Sequence, residues 1–178
     1  VTSIGDSAFS GCTSLTSITL PFIGNGINET HFGYIFGASE YTGNSVYVPT
    51  SLKKVIITNA KSIGEFAFEG CTSLTSIEIP NSVTSIEFYA FYRCTSLKSI
   101  FIPNSVKSIG HHAFGSCTRL TSIVIPDSVT SMSDEVFNMC KAITVYCEAL
   151  EKPSGWSKLW NYSNYGNCNV VWGYKKSN

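Results

Sequence analysis

The sequence is poor in charge. Lys+Arg and Asp+Glu number 12 each over 178 residues, so only 13% are charged and the formal net charge is 0. No basic field exists to hold a phosphate backbone or anionic lipid, and nucleic acid is not an expected partner. No run of 18 apolar residues occurs, which excludes a membrane-spanning helix and insertion by that route. Histidines number three, and no two cysteines lie a few residues apart as zinc-site spacing requires. A phosphate-cradling glycine loop, a nucleophile elbow and a metalloprotease helix are all missing. Serine is abundant, but none is paired with a local base. The sequence therefore predicts no enzyme, no cofactor and no metal. Hydrophobic residues still make up 43%, too many for a disordered chain. Hydroxyls rather than ions are left to keep the surface wet.

What the chain does have is a repeat. "AFSGCTSL" (8–15), "AFEGCTSL" (67–74), "AFYRCTSL" (90–97) and "AFGSCTRL" (113–120) are near-copies. Phe68, Phe91, Phe114 and Phe137 are spaced by 23, as are Cys71, Cys94, Cys117 and Cys140, and Pro80, Pro103 and Pro126. Within one unit, "LTSIEIP" (74–80) alternates, with Ile77 and Ile79 facing one way and Ser76 and Glu78 the other. That predicts a short half-buried strand, ended by Pro80. "NSVTSI" returns the chain, with Val83 and Ile86 inward. Ile86, Ala90 and Cys94 are four apart, which predicts one or two helical turns, too short to stand alone. Such a unit buries its apolar side only by stacking on copies of itself, each inward Leu, Ile or Phe contributing roughly 1.5–3 kcal/mol.

The Leu-x-x-Ile-x-Ile strand with "AFxxC" resembles the BspA-type leucine-rich repeats of bacterial and protozoan surface proteins, over about residues 1–147. The resemblance implies an α/β, right-handed leucine-rich-repeat solenoid. Short parallel strands would line its concave face and short helical or 3-10 turns its convex face. Where the general leucine-rich signature has Asn or Cys after the strand, this chain has Ser82, Ser105 and Ser128, which predicts a hydroxyl row in place of the amide ladder. The resemblance further implies an extracellular or cell-surface, adhesion-type, protein-binding module. Its partner would be a host extracellular-matrix or plasma protein such as fibronectin or fibrinogen. A structural spacer in a long surface protein is the alternative. "VTSIG" at 1–5 matches the middle of a unit, so the chain is expected to be a fragment of a longer solenoid.

Phe9 to Phe68 spans 59 residues, 13 more than two units, which marks an irregular repeat at about 22–58. "SLKKVIITNAKSIG" (51–64) restores the pattern with Leu52, Val55 and Ile57 inward, and "YIFG" (34–37) supplies Phe36 for the Phe row. Four surplus residues then fall before Phe36 and ten between Phe36 and Leu52, and one residue is missing after Ile57, which closes the 13. A rival register aligns "VYVPTSLKKV" with "IEIPNSVTSI". The loop at 37–51 is long and aromatic, and a packed bulge is the simplest reading of it.

After Cys147 the pattern stops, and residues 148–178 read as a C-terminal cap. Trp156 and Trp160 lie four apart after Pro153-Ser154, and "NVVWGYK" (169–175) reads as a last strand. Glycan binding through the irregular loop or this Trp-rich tail is a further alternative. Sequons at Asn28-Glu29-Thr30 and Asn161-Tyr162-Ser163 read as chance matches. His111 and His112 occupy the pair before "AF", where adjacent side chains on a helical turn would diverge.

Outward strand positions form two columns. One holds Ser17, Lys54, Ser76, Ser99 and Ser122; the other holds Thr19, Ile56, Glu78, Phe101 and Val124. The candidate partner-binding residues are Lys54, Ile56, Ser76, Glu78, Ser99, Phe101, Ser122 and Val124, with Ile56, Phe101 and Val124 expected to be exposed. The repeat cysteines, Cys12 included, are expected to be reduced and buried beside the Phe row. Cys147 and Cys168 are the one pair outside the repeat that could bridge.

Overall fold

The computed structural model describes residues 1–26, 31–164 and 166–175. The sequon at Asn28 lies outside these residues. Ten strands follow in chain order among them: β1 (Ser17–Leu20), β2 (Lys54–Ile57), β3 (Ser62–Ile63), β4 (Ser76–Glu78), β5 (Ser85–Ile86), β6 (Ser108–Ile109), β7 (Ser122–Ile125), β8 (Ser131–Met132), β9 (Thr144–Cys147) and β10 (Asn169–Trp172). They stack in parallel as a leucine-rich-repeat solenoid. One side carries two three-stranded sheets, β1-β2-β4 and β7-β9-β10, and a second side carries β3-β5-β6-β8. The alternation read in the sequence is kept, since Ile18, Val55, Ile77, Ile123 and Val145 all point into the core. The return segment, expected only to contribute inward contacts, also pairs: Ser62, Ser85, Ser108 and Ser131 align across four coils.

Hydroxyl groups tie the coils at the bend after each Pro. Ser82 Oγ donates to the Ala60 carbonyl at 2.7 Å, Ser105 to Val83 at 2.6 Å and Ser128 to Val106 at 2.9 Å. The expected hydroxyl row is therefore present, each serine reaching back one coil.

On the third side the expected helical turn is built from i→i−3 bonds without becoming a helix. Alternate N–H groups leave the coil. Phe66, Phe68 and Gly70 donate to the carbonyls of Phe88, Ala90 and Tyr92, while Ala67, Glu69 and Cys71 close turns onto Gly64, Phe66 and Phe68. Left-handed residues at Phe66 (φ 54°) and Gly70 (φ 69°), repeated at Tyr89/Arg93, His112/Ser116 and Glu135/Met139, aim those groups outward. A helix would spend every N–H on its own i−4 carbonyl, and the coils would then lose their mutual bonds on this side.

The interior holds the Phe row. Phe68–Phe91, Phe91–Phe114 and Phe114–Phe137 lie 5.5, 5.4 and 5.8 Å apart, with ring planes within 3°, 6° and 11° of parallel. The irregular repeat joins this row through two rings. Phe36 packs on Phe9 at 6.1 Å, Phe32 packs on Phe68 at 4.9 Å, and the 3-10 turn Phe32–Phe36 connects them. The four surplus residues counted before Phe36 fall within this five-residue turn. The loop that follows folds over it as a second 3-10 turn (Tyr41–Gly43) and a single helical turn, α1 (Asn44–Tyr47). Asn44 is fully buried, and its Oδ1 accepts from the Gly33 N–H at 2.7 Å. A Cβ at Gly33 would stand 2.5 Å from that oxygen, so glycine is required there.

Cys71, Cys94, Cys117 and Cys140 are buried and free, beside the Phe row. Their sulfurs do more than fill space. Cys94, Cys117 and Cys140 donate to the carbonyls of Phe68, Phe91 and Phe114 in the preceding coil, at 3.1, 3.2 and 3.1 Å. Cys12 departs from the expectation and is exposed, because it lies on the first described coil and nothing described stacks over it. Cys147 and Cys168 are both free. β10 pairs with β9 so that Trp172 stands opposite Cys147 and Asn169 opposite Thr144. Cys168 is thus four residues out of register with Cys147, roughly 13 Å along the strand and beyond disulfide reach.

Burial pushes every interior thiol up: Cys140 and Cys147 to about 12, and Cys71, Cys94 and Cys117 far above the usual range. Two results are expected. In native protein one thiol, Cys12, reacts rapidly with DTNB, against seven in denaturant; rapid reaction of five or more natively would contradict the packed row. The unfolded chain ionises its thiols above about pH 9 while the folded chain does not. Stability is therefore complete below pH 9 and falls as pH rises toward 12, by roughly 1–2 kcal/mol per buried thiol at pH 10.5. Urea melts at pH 8 and pH 10.5 measure that loss.

Candidate partner-binding surface

The strand side presents the two outward columns. In the first, Ser17, Lys54 and Ser76 are in register, and Ser122 continues to Thr144 and Asn169. In the second, Thr19, Ile56 and Glu78 align, and Val124 continues to Tyr146 and Val171. Ser99 and Phe101 fall between the two groups, in a coil segment (98–102) that is not a regular strand. The predicted residues thus share one side of the molecule.

Exposure differs from expectation at two of them. Phe101 is 55% exposed, but Ile56 and Val124 are half-buried. Each has an in-register side chain on a neighbouring strand, Thr19 and Glu78 around Ile56 and Tyr146 beside Val124, which covers part of it. Lys54 is not a free cation. Its Nζ lies 2.5 Å from Glu78 Oε1, and as both ends are exposed the pair contributes under about 1 kcal/mol. It neutralises that end of the face.

Tyr146, Val171 and Tyr174 were missed from sequence. The Tyr146 and Tyr174 rings lie 4.9 Å apart and extend the apolar column past Val124. "TVYC" carries the same alternation as the other strands. Its step from Ser122 to Thr144 is 22 rather than 23, and no "AFxxC" follows it, so the repeat count did not reach it.

Where the regular strands lapse the surface sinks. One hollow of about 340 Å³ is lined by Ser76, Ile77, Ser99, Phe101 and Val124. A second, of about 580 Å³, begins on the far side of Phe101, with Asn81, Asn104, Pro126 and Glu148 around it. Phe101 stands between them.

Other candidate groups fall elsewhere. His111 and His112 do not diverge: their rings stack at 4.0 Å, because His112 is left-handed (φ 54°) rather than helical. His112 Nε2 lies 3.0 Å from Glu135 Oε2 and His111 Nδ1 2.9 Å from the Asp134 carbonyl. Tyr41, Phe66, Phe88 and Tyr89 continue this stack along the turn side, covering one another's faces. His31 contacts the Ala38 carbonyl at 3.1 Å, and burial lowers its pKa. Among the described residues no three His, Cys, Asp or Glu side chains gather to hold a metal ion, and no helix is long and apolar enough to cross a membrane. The Trp pair that a glycan reading of the tail needs on display is packed inside, with Trp156 and Trp160 3% and 2% exposed.

Comparison with known proteins agrees with the fold. The profile of the BspA type Leucine rich repeat region matches six copies over residues 1–42 and 40–152. A leucine-rich repeat protein of T. pallidum is 28% identical with a TM-score of 0.52, covering 68% of this chain and 61% of its own. A leucine rich cell surface protein of Faecalibacterium prausnitzii is 23% identical (TM-score 0.37; 88% and 59% covered). A leucine-rich repeat protein of Bacteroides ovatus is 20% identical (TM-score 0.43; 96% and 64% covered). The chain spans about six tenths of the length of these structures. No curated protein matches it.

Proposed function

The chain belongs to the BspA-type leucine-rich repeat family, and from that premise we propose that it is a non-enzymatic, adhesion-type module that binds a protein on its strand side. The observation that carries this reading is Phe101, a large apolar ring held 55% exposed at the centre of the two columns, beside a hollow and next to the Val124–Tyr146 run. Exposed aromatic anchors bordering a pocket are where interface energy concentrates. Lys54, Ile56, Ser76, Glu78, Ser99 and Ser122 supply the polar surround. The setting is extracellular or on the cell surface, and the partner a host extracellular-matrix or plasma protein. Residues 1–147 form the solenoid proper in this reading and 148–178 its C-terminal cap.

The test is a Phe101→Ser/Val124→Ser double variant, assayed by surface plasmon resonance on immobilised fibronectin and fibrinogen. Affinity is expected to fall at least about tenfold with the melting temperature nearly unchanged. Binding that survives the exchange would remove the strand side from consideration. Wild-type protein that binds neither ligand would favour a spacer.

A further inference from the structure

The larger hollow on the strand side differs chemically from the rest of that face. Its walls are the exposed ring of Phe101, the primary amides of Asn81 and Asn104, and the carboxylate of Glu148, with Pro126 alongside. Asn81 and Asn104 each follow the Pro of their unit, Pro80 and Pro103, so they recur one coil apart on the same rim. Both are exposed, and no described residue hydrogen-bonds to either amide. Glu148 is held in place by the Asp127 N–H, which donates to its Oε2 at 3.3 Å. Lys and Arg are absent from the lining.

This set of groups selects its ligand. Each primary amide offers two donors and one acceptor, and the carboxylate only accepts, so the rim asks for a molecule dense in groups that both donate and accept. The ring beside it asks for an apolar flat surface. A pyranose meets both demands, with C–H groups on one face and hydroxyls around its edge. The volume of about 580 Å³ lies within the range of small-ligand sites. A carboxylate on the rim, with Asp127 next to it and no cation opposite, disfavours acidic sugars and phosphates.

We propose that this hollow is a carbohydrate subsite that takes a neutral hexose of a glycan, so that the module recognises the sugar carried by its partner. The inference rests on the strand side being the binding face. Phe101 stacks against the sugar ring, Asn81 and Asn104 grip vicinal hydroxyls, and Glu148 accepts from a third.

The experiment is isothermal titration of the full chain with a galactose-terminated biantennary N-glycan and with its sialylated counterpart. Binding to the neutral glycan is expected, with the sialylated form at least about threefold weaker. Each of Asn81→Ala, Asn104→Ala and Glu148→Gln should weaken it about fivefold, and the double Asn variant more than tenfold. All three side chains are solvent-accessible, and unchanged circular dichroism melts would confirm that the variants fold. Absence of heat up to 10 mM glycan, or Asn variants that bind like wild type, would overturn the proposal. Binding of an enzymatically deglycosylated protein partner separates the two readings. If it is retained, yet lost in Phe101→Ser/Val124→Ser, the face binds protein and the sugar inference falls alone. If neither glycan nor protein binds, both readings fall.

Discussion

Replacing Phe91 by Ala should cost about 3–5 kcal/mol, among the largest losses available to a single substitution in this chain. Phe91 is 1% exposed and sits between two near-parallel rings, Phe68 at 5.5 Å and Phe114 at 5.4 Å. Truncation leaves a ring-sized void that its neighbours cannot fill, because each is fixed by a backbone bond to the next coil. Phe68 N–H donates to Ala90, and Phe114 N–H to Val136. The same change at Phe9 should cost less than half as much, since Phe9 is only half-buried. In a stacked-coil protein the loss falls on two interfaces at once, Phe68–Phe91 and Phe91–Phe114, and so weakens the coupling between the ends. All three Trp lie at the C-terminal end. Urea melts followed by Trp fluorescence and by far-ultraviolet circular dichroism should coincide in the wild type and separate in Phe91→Ala. A cost below about 1.5 kcal/mol would mean that the void closes, contrary to the packing described.

Repeat period and inward faces were legible because stacking allows little choice. A side chain that recurs every 23 residues meets its own copy, so only shapes that stack on themselves persist, and the Phe row is the clearest case. The left-handed positions were legible only in part. Gly11 and Gly70 mark the fourth residue of "AFSG" and "AFEG", but Arg93, Ser116 and Met139 hold the same conformation without glycine's signature. That is why the turn side read as helix. Cys12 illustrates a different limit. Its residue type matches buried counterparts, but burial depends on a neighbour in the stack, which its own residues do not encode. For the binding face, the columns followed from alternation. The hollows around Phe101 did not, because they arise where regular strands lapse at 98–102, and "KSIFI" alternates as well as its neighbours do. Asn81 and Asn104 were visible as residues after Pro, but their lack of partners is a property of the folded coil.

Trp156→Ala should destabilise the protein by about 4 kcal/mol or more, and Trp156→Phe by only about 1 kcal/mol. The difference rests on what the indole replaces. In the interior the carbonyls of Val83 and Val106 accept from Ser105 and Ser128 of the following coil. At Val129 that donor is Trp156 Nε1, at 2.9 Å. The backbone continues the same substitution. Ser157 N–H donates to Met132 as Ser133 N–H does to Ile109, and Glu135 N–H donates to Leu159 as its counterpart Tyr89 does to His111; Val136 N–H crosses to Trp160 as well, where its counterpart Ala113 instead closes a turn onto Gly110. Residues 156–160 therefore act as a last coil whose repeat side chains have been exchanged for Trp. Trp160 closes the Phe row edge-on to Phe137 at 6.2 Å, and Trp172 covers both indoles at 5.7 and 6.2 Å. Trp156→Phe keeps most of the buried area and leaves one carbonyl unpaired. Trp156→Ala loses the area as well and opens Met132 and Val129 to water. Hydrogen exchange should then show faster opening of β8 and β9 in Trp156→Ala, with β2 and β4 protected as before. Uniform acceleration across all coils would mean that the tail is not an end coil but part of a single cooperative unit.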